Sequence, residues 1–350
     1  MMEVGETSVS ARKLLDTLNG RRFETPPVWM MRQAGRYLPE YRALRAEKGG
    51  FLELVHDSEA AATVTLQPLH RFPLDGAILF SDILVIPHAL GQELTFGPGE
   101  GPRLTPPLSN GALDGLSFRP ERLSPIIETI RRVRTLLSPE KTFLGFAGSP
   151  WTIATYMVAG QGSRDHADAR RLAYRDPVRF QVLIDSIIDA TVAYLSDQIH
   201  AGVDAVQLFD SWAGSLSPVQ YEKWVIAPTA AMVSRIKALH PETPVIGFPK
   251  GSGAKISAYA RETGVNAVGL DETIDPFWAD ATLPPELPVQ GNLDPLALNA
   301  GGQALDDAVR TIRKAFANRP HVFNLGHGIL PDTAIDHVER MLAVLREGRD

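Results

Sequence analysis

The sequence contains no cysteine, and this absence excludes several chemistries at once. Without thiols the chain cannot form disulfides, bind zinc through thiolates or use a cysteine nucleophile. No run approaches the roughly 18 apolar residues that a membrane-spanning helix needs. No G-x-G-x-x-G fingerprint follows the first apolar run, and no phosphate-binding P-loop is present. These absences argue against a thiolate metalloprotein, a membrane-spanning protein and a nucleotide-binding open sheet.

An overall excess of positive charge is also lacking. The net charge is −6, from 35 basic and 41 acidic residues, which argues against a nucleic-acid partner. Residues Met1–Ser10 are polar and acidic, and we expect a flexible tail there instead of a signal peptide. We therefore expect a cytoplasmic protein with no membrane partner. The 350 residues, 44% of them hydrophobic, suffice for a sizeable core.

Eight short apolar runs indicate buried strands with helical segments between them. The runs are Val28–Met31, Gly76–Phe80, Thr142–Ala147, Ala205–Phe209, Val245–Phe248, Ala267–Leu270, Val289–Gly291 and His321–Asn324. Capping residues and helix-starting prolines predict the helices. These are Glu59–Leu69 capped by Ser58, Pro125–Leu137, a helix from Asp176-Pro177 to Ile199, one from Ser217-Pro218 to about His240, Ala254–Thr263, Gln303–Asn318 and Thr333–Arg346. This alternation predicts an α/β protein, a single (β/α)8 barrel spanning residues 1–350.

One insertion interrupts this alternation after the second predicted strand. Glu93–Phe96 and Arg103–Thr105 flank Gly97–Pro102, a segment rich in glycine and proline. Such turn residues between two short runs predict a small, irregular hairpin.

Two arginines follow the first predicted strand, in the segment Arg32-Gln33-Ala34-Gly35-Arg36. Guanidinium groups match carboxylates as donor forks, and a glycine permits close approach of backbone and ligand. The first fifty residues hold seven Arg and two Lys against six acidic residues, so this segment is locally basic. The pattern predicts a pocket for an anion with several carboxylates or phosphates, although surface ion pairs with Glu40 and Glu47 would produce it too.

Further polar residues follow the other strands, at the barrel edge where active sites lie. Asp82 can line an active site or cap a helix. Tyr156 can line an active site or pack in the core. His327 lies between glycines, without an apolar face, which favours a ligand contact. Asp210 and Ser211 suit a site or a helix cap equally well. The histidines have no metal-binding spacing, so we expect no metal site.

Five segments resemble the uroporphyrinogen decarboxylase family. They are Pro27–Tyr37, Phe80–Leu84, Gly145–Thr152, Asp210–Gly214 and Asn324–Gly328. They occur in the family's order, and the resemblance extends from about Leu14 to Leu345. It implies a (β/α)8 barrel that converts uroporphyrinogen III into coproporphyrinogen III by removing four carboxyl groups as carbon dioxide. It also implies a homodimer that needs no metal or organic cofactor.

The same resemblance implies the substrate contacts. The corresponding residues here are Arg32, Gln33, Ala34, Gly35, Arg36, Asp82, Tyr156, Ser211 and His327. Of these, Asp82, Arg36 and Tyr156 are expected to act in catalysis. A carboxylate at Asp82 would stabilise a protonated pyrrole, and Arg36 would position the departing carboxylate. The proton donor stays open between Tyr156 and His327, because arginine does not release its proton.

Three other functions compete with this interpretation. A corrinoid-linked methyltransferase of the same superfamily would look to zinc held by cysteine and histidine, and the chain has no cysteine. A non-catalytic tetrapyrrole carrier would need a cleft but not the arginines with Asp82. A class I aldolase would use Lys250, at the end of the fifth predicted strand, as a Schiff-base lysine; a solvated or phosphate-binding lysine is the simpler interpretation.

Overall fold

Seven parallel strands share one curled sheet in the computed structural model, which describes residues 12–97, 101–110, 113 and 115–347. The strands of the described chain are β1 (Gly76–Ile78), β2 (Glu93–Gly97), β3 (Gly101–Thr105), β4 (Thr142–Gly148), β5 (Ala205–Asp210), β6 (Val245–Pro249), β7 (Ala267–Gly269), β8 (Val289–Leu293) and β9 (His321–Leu325). In the sheet, β1 is followed by β4 to β9 in chain order. All their carboxyl ends therefore meet at one edge.

Helices connect these strands, as parallel pairing requires. They are α1 (Lys13–Leu18), α2 (Pro39–Glu47), α3 (Phe51–His56), α4 (Ser58–Arg71), α5 (Val85–Ala89), α6 (Ser124–Leu136), α7 (Pro150–Ala159), α8 (Ala167–Arg175), α9 (Pro177–Ala201), α10 (Pro218–Tyr221), α11 (Ala227–Leu239), α12 (Ile256–Glu262), α13 (Pro276–Thr282), α14 (Pro295–Ala300), α15 (Gly302–Ala315) and α16 (Ile335–Arg346). The buried residues of α15 include Leu305, Val309 and Ile312, at the spacing of one helix face.

The first predicted strand, Val28–Met31, is not a strand in the structure. Val28 forms only an isolated parallel bridge with Phe323 of β9. Its carbonyl accepts the N–H of Asp75 at 2.8 Å, and its own N–H donates to Asp75 Oδ2 at 2.8 Å. The segment thus lies between β9 and the residue before β1. The chain leaves this position within a few residues because Gln33 N bonds back to Met30 O at 3.0 Å, which begins a turn.

The helix predictions were confirmed where local capping decides the start. Asp176 caps α9 by accepting the N–H of Arg179 at 3.0 Å. Ser58 was wrongly predicted as a cap: it is the first residue of α4, and Asp57 accepts the N–H of Ala60. The helix predicted from Ser217-Pro218 to about His240 is interrupted by a π-helical turn at Glu222–Ile226. Such a turn changes the hydrogen-bond spacing without leaving a sequence signature.

Strands β2 and β3 pair with each other in antiparallel register, Glu93 opposite Thr105, apart from the parallel sheet. The centre of the turn predicted between them, Pro98–Glu100, lies outside the described residues, as does the predicted tail Met1–Ser10. None of the helices in the described ranges combines the length and apolar character needed to cross a bilayer.

Candidate active site

The segment between Arg32 and Arg36 is a tight loop tied to the last strand. Met31 N donates to Asn324 Oδ1 at 2.9 Å, and Ile329 N donates to Met31 O at 3.0 Å. Arg32 has a left-handed backbone with φ 62°. A Cβ on Gly35 would lie 2.7 Å from the carbonyl oxygen of Arg32. The glycine therefore lets the loop close against its own backbone, whereas the sequence suggested an approach to a ligand.

Gln33 takes a structural position inside the protein. Its side chain is fully buried. The Oε1 atom accepts the N–H of Met30 at 3.0 Å, and Nε2 donates to the carbonyl of Gly76 at 3.0 Å. Both ends of the amide already bond to backbone, so the substrate contact predicted for Gln33 stays a prediction that only its backbone can fulfil. The neighbouring Ala34 is half-buried against the core.

Arg32 lies beside three other predicted site residues. Its side chain packs over Gly328, where a Cβ would overlap Cδ and lie 2.9 Å from Nε. Its positive charge acts on Asp82, Tyr156 and His327, in each case lowering the pKa. Asp82 and His327 follow strands β1 and β9, Tyr156 lies in α7, and Arg32 follows the segment that bridges to β9 at Val28. The structure thus brings them together at one edge of the sheet.

Asp82 provides the carboxylate of this group. Its Oδ1 accepts the N–H of Leu84 at 2.8 Å, immediately before α5. Burial raises the pKa of Asp82, although some surface stays accessible, and the Leu84 N–H and the charge of Arg32 oppose the rise. The helix-cap interpretation and the site interpretation are compatible, since this backbone bond leaves Oδ2 available as an acceptor.

Tyr156 and His327 are both neutral at pH 7. Burial raises the pKa of Tyr156, and the negative charge of Asp82 adds to the rise. Burial lowers the pKa of His327 to about 4, helped by the charges of Arg32 and Lys250. Tyr156 therefore has a hydroxyl proton that it can donate. The imidazole of His327 carries no extra proton at physiological pH.

Ser211 lies in the turn after β5, next to a buried acid. Thr152 Oγ1 lies 2.5 Å from Asp210 Oδ1 and accepts the N–H of Trp212 at 3.1 Å. The ring of Trp212 lies 6.3 Å from that of Tyr156, between ring centroids. This network fixes the turn that carries Ser211 and places the adjacent Trp212 near Tyr156.

Arg36 follows Arg32 by four residues in the same loop and lies beside α2. It is exposed, and its carbonyl accepts a hydrogen bond from Arg42 Nη1 at 2.7 Å. Its charge acts on Tyr41, as does that of Arg45, which also lies over the ring of Phe51 at 5.8 Å. Arg45 was not among the predicted site residues, although it lies one helical turn after Tyr41 in the same basic segment.

The surface ion pair suggested for Glu40 has a different partner. Glu40 receives hydrogen bonds from Arg71 at 2.9 and 3.0 Å. It therefore does not neutralise the two arginines of the loop. Within the described residues, no three histidine or acidic side chains are grouped as metal ligands would be.

Comparison with known proteins decides the family. The sequence profile described as uroporphyrinogen decarboxylase (URO-D) matches residues 10–348. The chain belongs to this family. It is 68% identical over 339 residues to the uroporphyrinogen decarboxylase of Sphingopyxis alaskensis, covering 97% of this chain and 99% of that protein. It is also 68% identical over 335 residues to the uroporphyrinogen decarboxylase of Rhizorhabdus wittichii, covering 96% and 97%.

Solved structures agree on the fold. A methyltransferase from Methanosarcina mazei superposes with a TM-score of 0.77 at 18% identity, covering 95% of this chain and 97% of that one. A B12-independent methionine synthase from Shewanella sp. W3-18-1 gives a TM-score of 0.55 at 11% identity, covering 92% and 96%. At such identities the likeness shows the fold and carries no function.

Proposed function

We propose that this chain removes carbon dioxide from the four acetate side chains of uroporphyrinogen III and releases coproporphyrinogen III. One observation carries the proposal: Arg32, Asp82, Tyr156 and His327 are grouped at one sheet edge in a chain 68% identical to a curated uroporphyrinogen decarboxylase. The methyltransferase alternative has only the fold in its favour, at 18% identity. The charge grouping also disfavours a passive carrier.

Electrostatics supports an anionic substrate of this kind. Uroporphyrinogen carries eight carboxylates, which are ionised at pH 7. The protein has a net charge of −6, so binding requires positive charge concentrated at the site. Arg32 and the neighbouring Arg36 provide it from one loop. A guanidinium fork also orients the carboxylate that it binds.

The chemistry needs an electron sink for the pair of electrons left by carbon dioxide. A proton added to a pyrrole ring carbon makes the ring cationic. The bond between the acetate CH2 and its carboxyl carbon then breaks, and its electron pair moves into the ring. The resulting exocyclic methylene takes up a proton to become a methyl group, and the ring releases the first proton. Each cycle thus consumes one proton and releases one carbon dioxide.

Asp82 is suited to stabilise the cationic ring. Its accessible oxygen can accept the pyrrole N–H groups, and its negative charge opposes the positive charge that develops. Tyr156 is the better proton donor of the two candidates, because the imidazole of His327, with a pKa of about 4, carries no extra proton at pH 7. We assign Arg36 the task of positioning the departing carboxylate. Contacts from the Gln33–Gly35 backbone and Ser211 stay predictions.

The decisive experiment is anaerobic incubation of the purified protein with uroporphyrinogen III, with and without EDTA, followed by oxidation and chromatography of the porphyrins. We expect hepta- to tetracarboxylate products in both samples. Unchanged octacarboxylate from folded protein would refute the proposed activity. Activity lost only with EDTA would refute the proposal that no metal is needed.

We also propose a single-domain, eight-position barrel that works as a cytoplasmic homodimer. The Val28 segment supports the eighth position, because it hydrogen-bonds towards β9 on one side and Asp75 on the other. Family membership supports the dimer. Sedimentation equilibrium should give twice the mass of one chain at micromolar concentration, and the mass of a single chain would exclude the dimer.

A further inference from the structure

Lys250 lies at the sheet edge that carries the proposed site, directly after β6. Its backbone is fixed by two hydrogen bonds: Lys250 N donates to Asp210 O at 3.0 Å, and Gly214 N donates to Lys250 O at 3.0 Å. The loops after β5 and β6 are therefore tied together. The side chain keeps 27% of its surface accessible, so the ammonium is open to a ligand.

The partner of Lys250 within the protein is poorly matched. Its Nζ lies 3.6 Å from Glu272 Oε1, which is beyond normal hydrogen-bond length. The other oxygen, Glu272 Oε2, is buried without a hydrogen-bond partner in the described chain. An ammonium has three donors to satisfy. The pair therefore leaves both groups with unused hydrogen-bonding capacity.

Glu272 is held against the strand that leads to His327. A Cβ on Gly326 would overlap the backbone nitrogen of Glu272 and lie 2.7 Å from its Cα. The neighbouring Asp271 is buried, and its Oδ2 accepts the N–H of Gly251 at 2.7 Å. The loops after β6, β7 and β9 thus converge here. Lys250 lies close enough to His327 for its charge to act on the imidazole.

We propose that Lys250 binds a carboxylate side chain of the substrate, which replaces Glu272 as the partner of the ammonium. This inference rests on the proposed function. A substrate carboxylate at hydrogen-bond distance replaces a weak ion pair by a charge-assisted hydrogen bond. Lys250 then supplies a second cation near His327, in addition to Arg32. Its role is binding, with no Schiff base.

The test compares Lys250→Met and Lys250→Arg with Lys237→Met. Lys237 is the matched control, because its Nζ donates to Thr243 O at 2.8 Å before β6, at the other end of the strand. We expect Lys250→Met to raise KM for uroporphyrinogen III about tenfold, as for loss of a hydrogen bond to a charged group. Lys250→Arg should recover most of this loss, and kcat should change less than about twofold. Lys237→Met should match the wild type.

The intermediates identify which carboxylate is bound. Propionates survive all four cycles, so a propionate contact raises KM equally for the octa- and pentacarboxylate substrates. An acetate contact raises it mainly for the octacarboxylate. An unchanged KM in folded Lys250→Met, or a loss confined to kcat, would overturn the proposal.

A second variant covers the case in which Lys250→Met does not fold. Glu272→Gln removes the competing negative charge, so KM should fall or stay constant, whereas a rise in KM would contradict the assigned roles. If the wild type does not decarboxylate, the proposed function fails first. Equilibrium dialysis of uroporphyrinogen III with wild type and Lys250→Met then still tests the carboxylate contact, which predicts about tenfold weaker binding by the variant.

Discussion

Thr152 and Asp210 are joined by a short hydrogen bond inside the protein, with 2.5 Å between Thr152 Oγ1 and Asp210 Oδ1. The second oxygen, Asp210 Oδ2, is buried and has no hydrogen-bond partner in the described chain. Burial raises the pKa of Asp210 to about 7, against the effect of Thr152. Asp210 is therefore a buried acid that stays protonated up to about pH 7. Through Thr152 it stabilises the turn that carries Ser211 and Trp212.

This acid predicts a pH-dependent stability. The unfolded carboxyl ionises near pH 3.8 and the folded one near 7, so the unfolded chain binds fewer protons between these values. The contribution of Asp210 to the free energy of unfolding therefore falls as pH rises from about 4 to 7, then levels off. The titratable groups facing it, Tyr221 and Tyr259, have raised pKa values and stay neutral there.

Asp210→Asn should remove this dependence, which amounts to a few kcal/mol at about 1.4 kcal/mol per pKa unit. Urea unfolding at pH 5 and pH 7.5 measures it. The control is Asp185→Asn, because Asp185 is exposed and bonded only to Gln181 within the described structure. That control should keep the wild-type pH dependence. An identical pH dependence in Asp210→Asn and wild type would contradict the buried neutral acid.

Asp82→Asn should slow turnover far more than it weakens binding. Asparagine keeps the shape and the Oδ1 acceptor for Leu84 but removes the negative charge opposite the cationic ring. We expect kcat to fall about 10²- to 10³-fold, as for loss of one electrostatic stabiliser of a transition state, with a small change in KM. Steady-state kinetics under anaerobic conditions measures both. A kcat close to that of the wild type would remove the assigned role.

Tyr156→Phe and His327→Asn should differ in their effect on the pH profile. Loss of a proton donor should reduce kcat about 10²-fold or more in Tyr156→Phe. His327, with a pKa of about 4, should contribute no ionisation between pH 5.5 and 7.5. Profiles of kcat/KM for wild type and His327→Asn should therefore have the same shape there. A limb near pH 6.5 that disappears in His327→Asn would show that the histidine does act as an acid.

Two glycine substitutions should separate loop folding from substrate binding. At Gly35 an added Cβ meets backbone, the Arg32 carbonyl at 2.7 Å, so Gly35→Ala should lower the free energy of unfolding by about 1–3 kcal/mol. At Gly328 the added Cβ meets the movable Arg32 side chain. Gly328→Ala should therefore raise KM with little change in stability. Urea unfolding and kinetics on both variants check this, and the reverse pattern would mean that Arg32 does not face the substrate.

The strand ends were predictable because their signals are local. Short apolar runs and the capping residues of α9 act within a few positions along the chain. Parallel βα alternation then requires that residues such as Asp82 and His327 reach the same sheet edge. The first apolar run shows the limit: its composition suits a strand, but the turn at Gln33 leaves only one bridge, at Val28.

The sequence alone determined the βα order, the absence of thiol chemistry, and the residues placed after each strand, since composition and spacing decide these. Tertiary structure decided what those residues are free to do. The Gln33 side chain is buried because its amide forms hydrogen bonds with the backbone of Met30 and Gly76. His327 became neutral because burial and two nearby cations disfavour its charge. Burial and pKa depend on side chains that come together from distant strands. A local sequence pattern therefore cannot predict either quantity.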